Sequence, residues 1–166
     1  MRFTNVVVAG EVQSFIDLPT FSRTCDGECR SVMQSALSWK LPHAPVRCLV
    51  FSTGRVSCAG AGGMDNIRLY ANALRRMGYV LSDVRVLTRS AVHTLSGRLR
   101  YKDLVEAMGA MYEPELFHAA MLRRGNVHFI VFATGKVVMT GIKDLKCVDD
   151  VVLPTLMEMD IYSTGQ

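Results

Sequence analysis

The sequence predicts an α+β fold built from two copies of one module of about 80 residues, with antiparallel strands. Three observations carry this. Phe51-Ser-Thr-Gly-Arg-Val-Ser-Cys-Ala-Gly60 lies over Phe132-Ala-Thr-Gly-Lys-Val-Val-Met-Thr-Gly141 at an offset of 81 residues, with five of ten positions identical and Arg55 facing Lys136. Chance gives about one match in such a window. The same offset sets Arg47-Cys-Leu-Val50 over His128-Phe-Ile-Val131, two apolar runs entering the motif, and Leu18 over Leu99. Each half also reads as strand, helix, strands, helix, the order of an α+β unit. A period of half the chain is too long for a solenoid and fits two halves packed as one body: a single domain over 1–166, with repeat one at 1–80 and repeat two at 81–162.

The elements follow in order. Residues 5–12 and 84–92 read as the strand that opens each half, and about 18–23 and 101–108 as the short helix after it, followed by a further strand or two. Residues 46–52 and 127–133 are strands; a Thr-Gly turn ends each, and residues 55–59 and 136–140 return as hairpin partners. Ile67, Tyr70, Ala71, Leu74 and Met77 recur at spacings of three and four, which predicts a helix that Gly78 stops. Val148, Val151, Val152, Thr155, Leu156 and Met159 repeat that spacing in the second half, where Pro154 predicts a kink or split.

Composition bounds the class. At 166 residues and 18.4 kDa, 49% hydrophobic and 20% charged, the chain is globular and large enough to bury a core without disulfides or a metal. It has no apolar run of membrane-spanning length and its N-terminus is too short for a signal peptide, so no membrane partner is expected. Five scattered cysteines, Cys25, Cys29, Cys48, Cys58 and Cys147, predict free thiols in a reducing compartment. His43, His93, His118 and His128 supply no zinc-finger spacing, so neither a metal nor a cofactor is expected. Residues 1–82 hold nine Lys/Arg against five Asp/Glu, and residues 83–166 ten of each, so the first half carries the whole +4. A mild basic excess points weakly to a polyanion.

Cys48-Leu-Val-Phe51 and Phe129-Ile-Val-Phe132 are apolar at every position, whereas antiparallel strands usually alternate. Two readings follow: a sheet sandwiched between layers, or helices on one face and an open apolar face for interaction on the other.

The hairpin motif Phe-x-Thr-Gly-Lys/Arg-Val, occurring twice, together with Tyr112-Glu-Pro-Glu-Leu-Phe117, resembles the core domain of the TATA-box-binding protein family. The hexapeptide is the most specific feature, and the resemblance runs from Thr4 to about Tyr162, closer in the second half. It implies a saddle: a curved ten-stranded antiparallel sheet from two pseudo-symmetric repeats, helices on the convex face, and a concave face lying on the minor groove of A·T-rich DNA. Wedge residues that kink the duplex are the recognised mechanism of this family.

Site residues carry over from the resemblance position by position. In the second half Phe117 and Phe132 match the paired wedges, Arg123 and Lys136 the phosphate contacts, and Val138 and Thr140 the groove-lining positions, with Thr134 in the turn between. Thr88 stands where the family has a base-contacting asparagine, and Ser90 where it has valine. In the first half Asn5 and Val7 match that asparagine and valine, Phe51 the second wedge, Arg55 the phosphate contact, and Thr53 the turn. The first wedge is missing: family spacing from Phe51 lands on Gln34, beside Met33. Ser57 and Ala59 replace the usual valine and threonine, and Lys40 joins the expected phosphate-binding cations.

Glu113, Glu115 and Leu116 match the C-terminal stirrup that binds a transcription factor IIB-like protein, and RNA polymerase machinery follows as a partner. Residues 39–45 are taken as the N-terminal stirrup and depart from the family's, so transcription factor IIA is a doubtful partner. Arg68, Arg75 and Arg76 resemble a basic helix used by regulators, though a solvated face explains them better.

These readings make the protein a general initiation factor that bends TATA-like promoter DNA and nucleates preinitiation complex assembly. The alternative is a divergent scaffold that binds transcription factors with little DNA binding of its own. No enzyme is expected: Gly60-Ala-Gly-Gly63 fails the dinucleotide fingerprint at Asp65, and no P-loop lysine or nucleophile elbow exists. Localisation follows the host: the nucleus for a cellular eukaryotic protein, the site of viral transcription for a viral one.

Overall fold

The computed structural model describes residues 1–164, so the last two positions of the 1–166 domain lie outside the described residues. Contacts divide the chain into two units, Asn5–Leu87 and Met1–Thr4 with the chain from Thr88 onward.

The first unit contains β1 (Arg2–Val12) from Asn5 onward, α1 (Leu18–Thr24), β2 (Glu28–Met33), β3 (Ala36–Lys40), β4 (Cys48–Phe51), β5 (Arg55–Gly60) and α2 (Met64–Arg76). Its strands run antiparallel in the order β2-β3-β4-β5-β1. Asp17 caps α1 by accepting from the Thr20 N–H, with Pro19 in the first turn, where a missing N–H costs nothing. Helix α2 lays Ile67, Tyr70 and Leu74 on the sheet and stops where Gly78 takes φ +89°. Trp39 is fully buried between Phe21, 5.1 Å away at 88°, and Tyr70, 4.9 Å away at 74°. Its indole N–H donates to the Asp26 carbonyl at 2.7 Å, so its one polar atom is satisfied in the core.

The cysteine expectation needs correction. Cys48 and Cys58 sit opposite each other on β4 and β5 and are joined as a disulfide; Cys25, Cys29 and Cys147 are free.

The second unit contains β6 (Leu81–Thr94), which begins in the first, then β7 (Arg98–Leu99), α3 (Tyr101–Met108), β8 (Ala120–Arg124), β9 (Val127–Val131) and β10 (Lys136–Ile142). A helical run, α4 (Leu145–Cys147), a π-helical turn (Val148–Val152) and α5 (Leu153–Ile161), leads to β11 (Ser163–Thr164). The sheet order is β6-β10-β9-β8, and β11 pairs with β7. Asp160 anchors this end by accepting from the Ser96 N–H and hydroxyl, each at 2.8 Å; those bonds hold its carboxyl below the usual aspartate range.

Two differences from expectation have physical causes. The tenth strand is reduced to one bridge, Met111 opposite Met121, because the Glu-Pro-Glu segment that follows turns away from the ladder. The helical run is not broken at Pro154. The backbone widens into the π turn just before it, and Pro154 then occupies the first turn of α5, where its missing N–H is tolerated.

The apolar runs alternate after all. Val127, Phe129, Val131, Val137 and Met139 are buried against Leu104, Met108, Val152, Leu156 and Met159 of the helices, while Ile130 and Val138 stay part-exposed on the other face. The helices cover one face of this sheet, which is the second of the two readings.

Candidate nucleic-acid interface

On the open face of the second unit, strand register aligns Met121, Ile130, Val138 and Val92 in one row across β8, β9, β10 and β6. A second row runs Arg123, His128, Thr140. A trough of about 410 Å³ opens over these rows, its lining including Met111, Met121, His128 and Ile130. Thr134 and Gly135 turn the chain into Lys136, which is exposed; Lys136 and Arg123 make no ion pair among the described residues. Arg123 Nε donates to the Gly125 carbonyl at 3.0 Å, which bends its side chain over the β8–β9 turn.

At one corner of this face the Phe117 and Phe132 rings meet at 6.5 Å in a T-shaped pair, with the His118 ring 5.5 Å from Phe132. The Glu113 carbonyl accepts from the Leu116 and Phe117 N–H groups, a turn that projects Leu116 outward at 79% exposure and leaves Glu113 and Glu115 in solvent. Tyr101 holds the corner together. Its hydroxyl donates to the His118 carbonyl at 2.7 Å and accepts from the Ala133 N–H at 2.9 Å, and its ring packs on Tyr112 at 4.0 Å. One side chain therefore fixes the residues next to both phenylalanines. Tyr101→Phe leaves that carbonyl and that N–H without their partner, and a loss of about 1 kcal/mol is expected. Urea unfolding of the variant beside the parent measures it; an unchanged midpoint refutes the latch.

The first unit has the same plan with different chemistry. The equivalent row is Arg30, Ser38, Leu49, Ser57 and Ala9, with Val7 opposite Ala59 in the next. Two hydroxyls replace apolar side chains in it. Ladder equivalence sets Gln34 at the Phe117 position and Ser35 at that of His118. No hydroxyl bridges this corner: the Ser52 N–H donates directly to the Ser35 carbonyl at 3.0 Å. Phe51 is part-exposed, Thr53 and Arg55 are exposed, and Arg55 has no ion pair among the described residues. Asn5 is half-buried. The Lys40 ammonium donates one hydrogen bond to the Ala44 carbonyl. Thr88, equivalent to Asn5 by register, has its hydroxyl oxygen buried without a hydrogen-bond partner.

The N-terminal stirrup also needs correction. Trp39 and Lys40 end β3, and the loop after them joins β3 to β4, as 125–126 join β8 to β9. The counterpart of residues 112–117 precedes β3 and ends at Met33 and Gln34, with Ser35 next at the His118 position. On α2, Arg68 pairs with Asp65 at 2.9 Å and Arg76 with Asp26 at 3.6 Å, as a solvated face would. The sequence reading missed Tyr101, His118, Met121, Ile130, Leu49 and Ser38. The last four are recoverable from period-two alternation once the strand bounds are known. Tyr101 carries no local mark, because its partners lie 17 and 32 residues away.

Comparison with known proteins agrees with this geometry. The sequence profile of the family described as "Transcription factor TFIID (or TATA-binding protein, TBP)" matches residues 1–79 and again 90–158. The chain is 30% identical to a TATA-box-binding protein of Methanococcus aeolicus over 154 residues, 87% of this chain and 85% of the relative. It is 26% identical to that of Picrophilus torridus over 97% of this chain and 94% of the relative. A TBP-related factor of Drosophila melanogaster is 29% identical over 90% of this chain and 72% of its own length. Among solved structures, the Methanococcus jannaschii TBP superposes with a TM-score of 0.77 at 24% identity, covering 95% of this chain and 98% of that one, which shows the same α+β fold.

Proposed function

The chain belongs to the TATA-box-binding protein family, whose members are general transcription initiation factors, and from that premise we propose that its two open sheet faces lie on the minor groove of A·T-rich promoter DNA and bend it. The observation that carries this is the corner where Tyr101 holds Phe117 and Phe132 beside an apolar row. Two flat rings at the edge of an open sheet suit insertion at a base step, where the cost of unstacking is offset by contact with the exposed base and by the extra surface a bent duplex covers. The row of Met121, Ile130, Val138 and Val92 offers no acceptor to the guanine amino group, the one feature by which the minor groove separates G·C from A·T, so A·T is favoured by exclusion. Thr140 adds a hydroxyl to that floor. Arg55, Arg123 and Lys136, with Thr53 and Thr134 in the two turns, meet phosphates and add a salt-dependent, sequence-independent contribution.

The repeats, 1–80 and 81–162, share the work unequally. Asn5, Val7 and Phe51 serve the first, where Gln34 replaces a ring and Ser38 and Ser57 wet the floor; a shallower kink is expected on that side. Thr88 must rotate its hydroxyl outward to reach a base. Glu113, Glu115 and Leu116 form an exposed acidic and apolar knob suited to a transcription factor IIB-like protein, through which polymerase machinery is recruited. The corrected stirrup, ending at Met33 and Gln34, is the place to test for transcription factor IIA. We assign no catalytic role, and in a eukaryotic host the place of action is the nucleus.

Titrating the protein onto a short A·T-rich duplex and a G·C-rich one over a salt series tests the proposal. At least about tenfold preference for A·T is expected, with affinity falling as salt rises. Equal affinity, or no binding at low salt, overturns it and favours the scaffold reading.

A further inference from the structure

We propose that Cys25 and Cys29 form a reactive dithiol that small disulfides, oxidised glutathione among them, convert into an intramolecular disulfide. Their sulfurs lie 3.0 Å apart, and both residues are part-exposed. The proximity is built by the backbone. Cys25 caps α1 and donates its N–H to the Phe21 carbonyl at 2.9 Å. Cys29 sits opposite Trp39 in the β2–β3 ladder. Between them Gly27 takes φ +87° with its Cα against the Lys40 carbonyl, a position that excludes any side chain. The Asp26 carbonyl is held by the Trp39 indole. Two thiols fixed this way face each other at a high effective concentration, which favours ring closure over a lasting mixed disulfide.

The two sulfurs differ in role. Burial, with the neighbouring Cys25 next in weight, pushes the Cys29 thiol up to about 12, so Cys29 keeps its proton and Cys25 reacts first. The Cys25 thiolate attacks one sulfur of oxidised glutathione; a protein–glutathione S–S bond forms, the original S–S bond breaks, and one glutathione thiolate leaves. Cys29 then gives up its proton and attacks the Cys25 sulfur, and the second glutathione leaves. Two protein thiols are oxidised, one glutathione disulfide is reduced to two thiols, and the two protons end on those thiols. The Cys48–Cys58 bond takes no part, since both residues are buried. Closure ties the end of α1 to β2, the strand that runs to the Met33 corner.

The test equilibrates the folded protein with a series of reduced-to-oxidised glutathione ratios, quenches with acid, alkylates free thiols and maps the Cys25 and Cys29 peptides by mass. Both sites are expected to lose alkylation together without gaining glutathione, while the emission of Trp39, the sole tryptophan, changes in step. Cys29→Ser is expected to stop at one glutathione on Cys25. In Cys25→Ser, Cys29 is expected to react more slowly than Cys25 does in Cys29→Ser, and Cys147→Ser to behave as the parent. Full alkylation of both cysteines with oxidised glutathione alone overturns the proposal, as does a lasting glutathione adduct on Cys25 or Cys29 of the parent protein.

Discussion

Replacing Phe117 and Phe132 together by alanine is expected to weaken binding to an A·T-rich duplex by about 30-fold or more and to flatten the bend. Ring-to-base stacking contributes about 1–3 kcal/mol per base, so two rings carry about one and a half to four factors of ten. The fold should survive. Phe117 is 37% exposed and Phe132 part-exposed, and the second core rests on Phe129, Leu104, Leu156 and Met159 rather than on them. A circular dichroism spectrum unlike the parent's would make the loss uninformative, so each single variant belongs in the same experiment, measured by fluorescence anisotropy for affinity and end-to-end energy transfer for bending. Parent-like affinity and bend in the folded double variant are incompatible with wedging at this corner.

The largest effect on stability is expected from Trp39→Ala, about 4 kcal/mol, against a total of about 5–15 kcal/mol for a domain of ordinary stability. Three losses combine at this position: the cavity left by a fully buried indole, the edge contacts to Phe21 and Tyr70, and the hydrogen bond that satisfies the Asp26 carbonyl. Trp39→Phe keeps part of the packing and drops the hydrogen bond, so it should fall between. Calorimetry checks the order. A Trp39→Ala protein that melts within a degree or two of the parent contradicts this account of the first core.

The repeat, the hairpins and the helices were legible because they rest on local spacing. The Thr53-Gly54 and Thr134-Gly135 turns fix their strands, and α2 and α3 announce themselves by apolar residues three and four apart. The Cys48–Cys58 pair was legible in principle: a hairpin in which Val50 faces Val56 must bring 48 opposite 58, and only the assumption of free thiols hid it. The misplaced stirrup has another cause. Trp39-Lys-Leu-Pro looks like a surface loop by its proline and lysine, yet Trp39 belongs to the core, and its burial depends on Phe21 and Tyr70 from two other elements. The same holds for Tyr101. Long-range partners leave no period in the chain, which is why the rows of the site could be sketched but not the latch that sets its corner.

The outermost strand of the second sheet has a consequence beyond DNA. On its outer side β8 has, among the described residues, only the Met111–Met121 bridge, which leaves backbone donors and acceptors that an extended segment could pair with. Arg123 and Arg124, side by side before the Gly125 turn, put two positive charges at the end of that edge, and Arg124 crosses to the Met108 carbonyl at 2.9 Å. Charges so placed disfavour strand addition. A substitution at Arg123 or Arg124 that left DNA binding unchanged could therefore still leave the free protein prone to aggregate.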